Sequence, residues 1–369
     1  MRLQLMPPPK ISFIIPFIHE YPNLYSTINN IQTEMRESTY DWEIIAVENG
    51  TVDENTDHAF TGQRALYRGA MAEGKIRYFF DPIQCGPHAR NTGARNATGD
   101  YVMFMDAHTS LGKNSIEPLA FYLERHPGCG GIGGLTSWSH WDKWRMGAYY
   151  ELFLDPKRQL TGEGGPTLLS HMHGHYMPLG LVRPHPIDRP FEVGMGSQAY
   201  TMYRRQDFLD IGGYLDTCRF YPHPEGYMPL KMWLSGKSMV VHPESWHIHG
   251  MFPRSYSLNQ DETQRKIKEY GGLSWGEHGL RNVLMVAYVL GGEKWINLCA
   301  AHLKVKRKDD KATRFLEDAV KTVEDHFELN GDPRKKFKFT LDEVLTSLRT
   351  GYVMGMEQWL PDIGVDPLG

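Results

Sequence analysis

The chain has 369 residues, 41% of them hydrophobic and 12% aromatic, with 40 Lys+Arg against 44 Asp+Glu and a net charge of −4. That composition excludes a disordered chain, and the near balance of charge excludes a uniformly basic nucleic-acid-coating protein. The length fits one large domain or two ordinary ones. No unbroken apolar run approaches the ~18 residues of a membrane helix; the longest, Val283 to Leu290, stops at Gly291-Gly292. Met1 to Lys10 has no sustained apolar segment of the secretory kind, and Cys85, Cys129, Cys218 and Cys299 are scattered and read as free thiols. The expectation is a cytoplasmic protein without integral membrane association.

In chain order, Ile11 to Ile18 reads as a strand buried on both faces, followed by a helix over Tyr21 to Met35 with Leu24, Ile28 and Ile31 at helical spacing. Trp42 to Val47 reads as a second strand, closed by a turn at Asn49-Gly50. Ile76 to Phe80 is a third. Cys85 to Thr98 reads as a helix, and Gly99-Asp100 turns into a fourth strand, Tyr101 to Met105. Strands separated by helix-sized crossovers predict an α/β fold with a mostly parallel, Rossmann-like sheet flanked by helices. The chemistry of such a sheet sits beyond the carboxyl ends of its strands.

Gly162 to Pro190 is rich in Gly, Pro and His and reads as a long loop. His171, His173 and His175 within it read as part of a substrate-covering loop rather than a zinc site. Gln198 to Tyr203 and Met239 to His242 read as strands. Beyond residue 256 the pattern is helical: Asn259 to Tyr270, Gly279 to Leu290, Ala312 to Phe327 and Leu341 to Leu348. Lys304 to Lys311 and Arg334 to Lys338 are basic clusters, read by default as solvated surface.

Asp106-Ala107-His108 follows the fourth strand directly. In extended chain, residues i and i+2 point to one side, so a carboxylate and an imidazole converge there, a donor pair suited to a divalent cation. On these residues alone, a cap at Asp106 and a surface His108 is an equally good reading.

The longer string is more specific. Ala89-Arg90-Asn91, Gly93, Ala97, Gly99, Tyr101, Phe104 and Asp106 resemble the signature of family-2 nucleotide-sugar glycosyltransferases, with His108 in place of the last acid. Asp-x-His is the form of the polypeptide N-acetylgalactosaminyltransferases. Phe13 to Glu20 resembles the family's first strand and nucleotide-binding loop, and Val47-Glu48-Asn49-Gly50 its second-strand ending. Gly194-Met-Gly196-Ser197, Phe208 to Tyr214, Pro243 to His249 and Arg281 to Lys294 resemble later segments of the N-acetylgalactosaminyltransferases. The likeness runs over about residues 11 to 295.

The resemblance implies a GT-A fold. It implies a catalytic domain over 1–255, with a donor half at 1–110 and an acceptor half at 111–255. A mainly helical C-terminal region over 256–369 would then be available for acceptor binding. It implies metal-dependent transfer of a sugar from a nucleotide-diphosphate sugar, a UDP-sugar first, to an acceptor hydroxyl. Asp106, His108 and His249 are the implied ligands of Mn2+ or Mg2+, with His247 as runner-up. Pro16, Phe17, Glu20, Glu48, Arg90, Asp106 and Ala107 are implied at the donor, and Gly196 and Ser197 on the acceptor side. Glu225 falls where inverting members have an acid, and a carboxylate there can serve as general base; retention remains the alternative. The acceptor is open between a hydroxylated DNA base, a protein and a glycan, the basic clusters being the phosphate contacts of the first. A metal-dependent nucleotide-sugar hydrolase or nucleotidyltransferase, and a non-catalytic carbohydrate- or nucleotide-binding protein, are the competing classes.

Overall fold

The apolar runs of the first hundred residues pair as strands because each must bury side chains on two faces. In the computed structural model the described residues are 8–18, 20–50, 68–140, 143–151, 175–178, 189–194, 196–220, 226–250, 275–307 and 315–348, with only the backbone path described at 21–22, 68, 138–140, 143–151, 175–178, 275–276 and 302–307. The predicted helix over 259–270 lies outside these residues.

β1 (Lys10–Phe17), β2 (Asp41–Asn49), β3 (Ile76–Asp81) and β4 (Tyr101–Met105) lie in the order β3-β2-β1-β4, all parallel. Beyond β4 the sheet becomes mixed. It continues through β10 (Tyr200–Arg204), β6 (Cys129–His140), β11 (Ser238–His249) and β5 (Thr109–Leu111). β10 is antiparallel to both β4 and β6, so β6 runs with β4; β11 is parallel to β6, and β5 is antiparallel to β11. β7 (Lys143–Glu151) and β8 (His175–Pro178) extend from β6, and β9 (Phe191–Val193) pairs with the start of β11. The carboxyl ends of β4 and β11 therefore emerge at the same edge.

One face of the sheet is covered by α1 (Tyr21–Glu34) and α4 (Glu117–Arg125), around Phe13, Ile15, Leu24, Ile28 and Leu119. The other face holds α3 (Gly86–Asn96), α5 (Arg205–Asp210), α6 (Tyr227–Leu234), α7 (Trp275–Arg307) and α8 (Leu316–Asn330). A short helix, α2 (Arg68–Ala72), leads into β3. A last helical segment covers 341–348.

Between Asn282 and Cys299, α7 carries only Glu293 and Lys294 as charged residues. By length and composition the stretch Glu277–Ala301 is therefore apolar enough to cross a membrane, although its longest unbroken apolar run is short, yet 61% of its apolar window is buried in the fold. An all-round apolar helix is what a core position demands. The helix is broken at Gly292, whose φ of 67° suits glycine alone.

Buried polar groups lock the donor half. Glu43 accepts from Ser12 Oγ (2.7 Å), Thr98 N–H (2.7 Å) and Thr98 Oγ1 (2.8 Å), and Arg77 Nη1 stands 3.2 Å from its other oxygen. Burial pushes the Glu43 carboxyl pKa up, and these donors outweigh that and leave it below the ordinary value. Ser12 Oγ also accepts from Gly99 N–H at 2.9 Å. A Cβ on Gly99 would stand 2.7 Å from Lys10 O, and one on Gly93 would stand 2.3 Å from Ile14 Cγ2. The two glycines of the signature string thus let α3 and its following turn sit on β1.

The Arg334–Lys338 cluster lies far from the carboxyl edge. Lys338 N–H donates to Leu234 O at the end of α6, just before β11 begins at Ser238, and β11 then runs to His249. At about 3.3 Å per residue the two ends of that strand are roughly 30 Å apart. Arg334 itself is committed to Asp332 and Glu324 and lies over Tyr288 and Phe327.

Two stability measurements test this packing. Gly99→Ala is expected to lower the unfolding free energy by about 1–3 kcal/mol, the usual range for overpacking. Gly128→Ala, where a Cβ meets nothing within 4 Å, should stay within about 0.5 kcal/mol of wild type. Lys231 on α6 is fully buried, with Nζ donating to Gly213 O at 2.6 Å. Burial lowers its pKa to about 7, against a smaller upward pull from Asp216. Between that value and the ordinary amine value the unfolded chain holds a proton the folded one lacks, so this group's contribution to stability rises with pH. Denaturant titrations from pH 7 to 10 should show wild type gaining on Lys231→Met; a constant difference would contradict the assignment.

Candidate metal and donor site

The carboxyl edge collects the chemistry. β4 ends at Met105, and Asp106-Ala107-His108 links it to β5, which lies against β11 with Thr109 opposite His249. Gly250 N–H donates to His108 O at 3.1 Å. Backbone pairing thus brings His249 to a pair of residues more than a hundred positions earlier. His249 Nε2 lies 3.2 Å from Asp106 Oδ2, and His108 Nε2 lies 3.9 Å from the same oxygen. The two imidazole centres are 4.9 Å apart. One ligand atom from each of Asp106, His108 and His249 falls within 4.8 Å of the others. One carboxylate and two imidazoles, half-buried and convergent, form a donor set that fits a divalent transition metal.

The other Asp106 oxygen is taken. Arg90 Nη2, on α3, donates to Oδ1 at 2.9 Å, and the Arg90 side chain is 5% exposed. Burial alone would raise the Asp106 pKa; the His249 hydrogen bond, Arg90 and His108 outweigh it and hold the carboxyl far below the ordinary range. Asp106 is therefore ionised, as a metal ligand must be. The sequence placed Arg90 near the donor without a partner; the partner is Asp106. The Arg90 guanidinium carbon stands 5.9 Å from the Tyr214 ring centre. Next to it, Asn91 donates to Tyr214 O (2.7 Å) and accepts from Tyr214 N–H (2.8 Å). Asn91, not singled out for a role in the sequence, so fixes the ring beside Arg90.

α1 holds the Asp-Ala-His segment from the side. Thr27 Oγ1 lies 2.7 Å from Ala107 O and 2.8 Å from Thr109 O, and accepts from Thr109 N–H. One helical step on, Asn30 Oδ1 accepts from Leu111 N–H (2.5 Å), and Glu34 from Ser115 N–H (2.6 Å). Glu20, expected at the donor, lies with Oε2 2.6 Å from His108 Nδ1.

Of the two histidines weighed on β11, the structure brings His249 to Asp106. His247 is fully buried, stacked on Tyr200 at 4.3 Å, with Nε2 3.4 Å from Thr136 Oγ1. Burial pushes its pKa well below the ordinary value. Both point to one face, and only the strand's last residue reaches the edge.

The remaining expected residues surround this edge. Pro16 and Phe17 close β1, and Phe17 stands in register with Glu48 of β2, which stands in register with Phe80 of β3. Glu48 is buried and accepts from the Tyr78 hydroxyl at 2.5 Å. Gly196 and Ser197 lead into β10, whose first residue, Tyr200, pairs with Met105; they therefore stand at the same edge as Asp106. Glu225, His171 and His173 lie outside the described residues, and of His175 only the backbone path in β8 is described.

Comparison with known proteins agrees with this architecture. An "Uncharacterized glycosyltransferase" of Rickettsia felis is 26% identical over 126 residues, 34% of this chain and 19% of that protein. A "Putative polypeptide N-acetylgalactosaminyltransferase 13" of Drosophila melanogaster is 23% identical over 185 residues, 46% of this chain and 28% of that protein. The chain thus spans less than a third of the length of these curated relatives. Among solved structures, one described as GalNAc-T7 with UDP, GalNAc and Mn2+ superposes with a TM-score of 0.61 at 16% identity, covering 93% of this chain and 58% of that one. It shares the GT-A fold. The sequence profile described as "Glycosyl transferase family 2" matches residues 12–212, more than half of the chain and every strand of the parallel half, and the chain belongs to that family.

Proposed function

We propose that the protein is a metal-dependent glycosyltransferase that moves a sugar from a nucleotide-diphosphate sugar, a UDP-sugar by preference, to an acceptor hydroxyl. The observation that carries this reading is the convergence of Asp106, His108 and His249 at the carboxyl edge of a family-2 sheet. Membership in the family supports the reaction class. The GalNAc-T7 complex, which has the same fold and is described with UDP and Mn2+, supports the choice of nucleotide and ion.

Asp106 Oδ2, His108 Nε2 and His249 Nε2 would hold Mn2+, or Mg2+ in its place. The bound ion would supply positive charge for the diphosphate as the sugar leaves. Glu48, buried beside Phe17, accepts hydrogen bonds from the nucleoside. Pro16 and Ala107 provide the backbone wall of the same cleft. Arg90 keeps Asp106 ionised and turned toward the two imidazoles. Gly196 and Ser197 flank the cleft on the acceptor side, and Glu225 takes the acceptor proton. Residues 1–255 form the catalytic unit in this reading, with the donor bound by 1–110 and the acceptor by 111–255. The helical region over 256–369 is proposed to contribute to acceptor binding. The position of Lys335, Lys336 and Lys338 at the amino edge weighs against their serving as phosphate contacts for an acceptor at the metal; the side chains of the other basic cluster, Lys304 to Lys311, lie outside the described residues.

Calorimetric titration of UDP with and without Mn2+ tests the donor site. Wild type is expected to bind UDP tightly only with the metal, and Asp106→Asn to lose the metal-linked part while its melting transition is kept. UDP-sugar turnover should fall on the order of 10²–10³-fold or more in that variant, the scale lost with one preorganised charge-stabilising group. Equal UDP binding with and without metal in wild type would contradict the proposal. Glu225→Gln should lower transfer and leave UDP binding intact; unchanged transfer would remove the base assignment.

A further inference from the structure

We infer that Glu20 is a positioning residue: its carboxylate sets the tautomer and aim of the His108 imidazole, so that Nε2 presents a lone pair toward Asp106. The consequence for metal affinity rests on the reading of Asp106, His108 and His249 as ligands; the tautomer itself is a property of the metal-free protein.

The two nitrogens of the His108 ring face different carboxylates. His108 Nδ1 lies 2.6 Å from Glu20 Oε2, and its Nε2 lies 3.9 Å from Asp106 Oδ2. A carboxylate only accepts, and of the two that face this ring only Glu20 is at hydrogen-bond distance, so Nδ1 carries the proton, and in the neutral ring Nε2, at 3.9 Å from Asp106, is then bare. A bare Nε2 is what a cation requires, whereas the opposite tautomer would point N–H at the metal position. Metal-bound imidazoles characteristically donate their second N–H to a carboxylate or carbonyl, which fixes the ring and raises its basicity.

Glu20 is well placed for the task. Its carbonyl accepts from Leu24 N–H at 2.8 Å, which ties it to the first turn of α1. The same helix holds Ala107, Thr109, Leu111 and Ser115 through Thr27, Asn30 and Glu34. Glu20 is thus the member of one polar stripe that reaches a side chain, where the other members reach backbone.

The test uses full-length protein labelled with nitrogen-15 in histidine, free of metal, near pH 8. Two-bond proton–nitrogen correlation reads the tautomer, and the His108 signal is identified by its loss in His108→Gln. Wild type is expected to be the Nδ1–H form, and Glu20→Ala to shift toward Nε2–H. Mn2+ affinity, followed by the paramagnetic resonance of the free ion, should fall about 10–100-fold in Glu20→Ala. It should recover in part in Glu20→Asp, and thermal melts of both variants check folding. An unchanged tautomer with unchanged Mn2+ affinity, accompanied by weaker metal-free UDP binding, would overturn the inference and return Glu20 to the donor. Absence of Mn2+ binding in wild type would defeat the metal reading, yet the tautomer shift would still decide the role of Glu20.

Discussion

The pairing of β5 with β11 is the constraint on which the rest depends. It is three residues long, and it carries the register that puts Thr109 opposite His249. Without it, Asp106 and His108 end one strand while His249 ends another, and nothing in the parallel half brings them together. β11 reaches that edge because it runs with β6, which runs with β4 through the intervening antiparallel β10. The antiparallel insertion is therefore not a departure from a Rossmann-like plan so much as the means of closing the site. Pro243, Glu244 and Ser245 fall in a bulge of β11 against β6, the kind of irregularity that re-aims a strand end next to a site.

Around this pairing, charge is divided atom by atom. Asp106 gives one oxygen to Arg90 and the other to the two imidazoles. The Arg90 guanidinium is nearly buried and costs desolvation, which the ion pair offsets only while Asp106 stays ionised. Asn91 fixes the neighbouring Tyr214 through two backbone hydrogen bonds. The Ala-Arg-Asn string thus joins a small residue for packing, a charge for Asp106 and an amide for the wall behind them. The family signature has a local physical reason at each of these positions.

Much of the donor half was legible in the sequence. Strands buried on both faces are mostly apolar, so β1, β2 and β4 stood out; the edge strand β3 stood out by its run Tyr78-Phe79-Phe80, and α1 and α3 lay between them. Other elements did not. β6 contains Gly130, Gly131, Gly133 and Gly134, a composition that reads as a loop. The glycines are there because neighbours crowd them: a Cβ on Gly131 would stand 2.6 Å from Tyr203 Cε1, and one on Gly134 would stand 2.4 Å from Ser245 O. β5 is too short for any periodicity. The choice between His247 and His249 needed burial, since both point the same way. Glu20 and Arg90 were found as residues of interest, yet their partners lie 88 and 16 positions away in the chain, beyond what spacing can pair. Glu225 is a residue the sequence singles out and the described structure does not reach.

The proposed function requires a divalent cation between Asp106, His108 and His249, whose ligand atoms converge. Crystals grown with UDP and manganese, measured on both sides of the manganese absorption edge, test it directly. The account predicts an anomalous peak at bonding distance from Asp106 Oδ2 and from Nε2 of both histidines, with the UDP diphosphate completing the shell. A peak elsewhere on the protein, or UDP bound at this edge with no metal beside these three side chains, would contradict it.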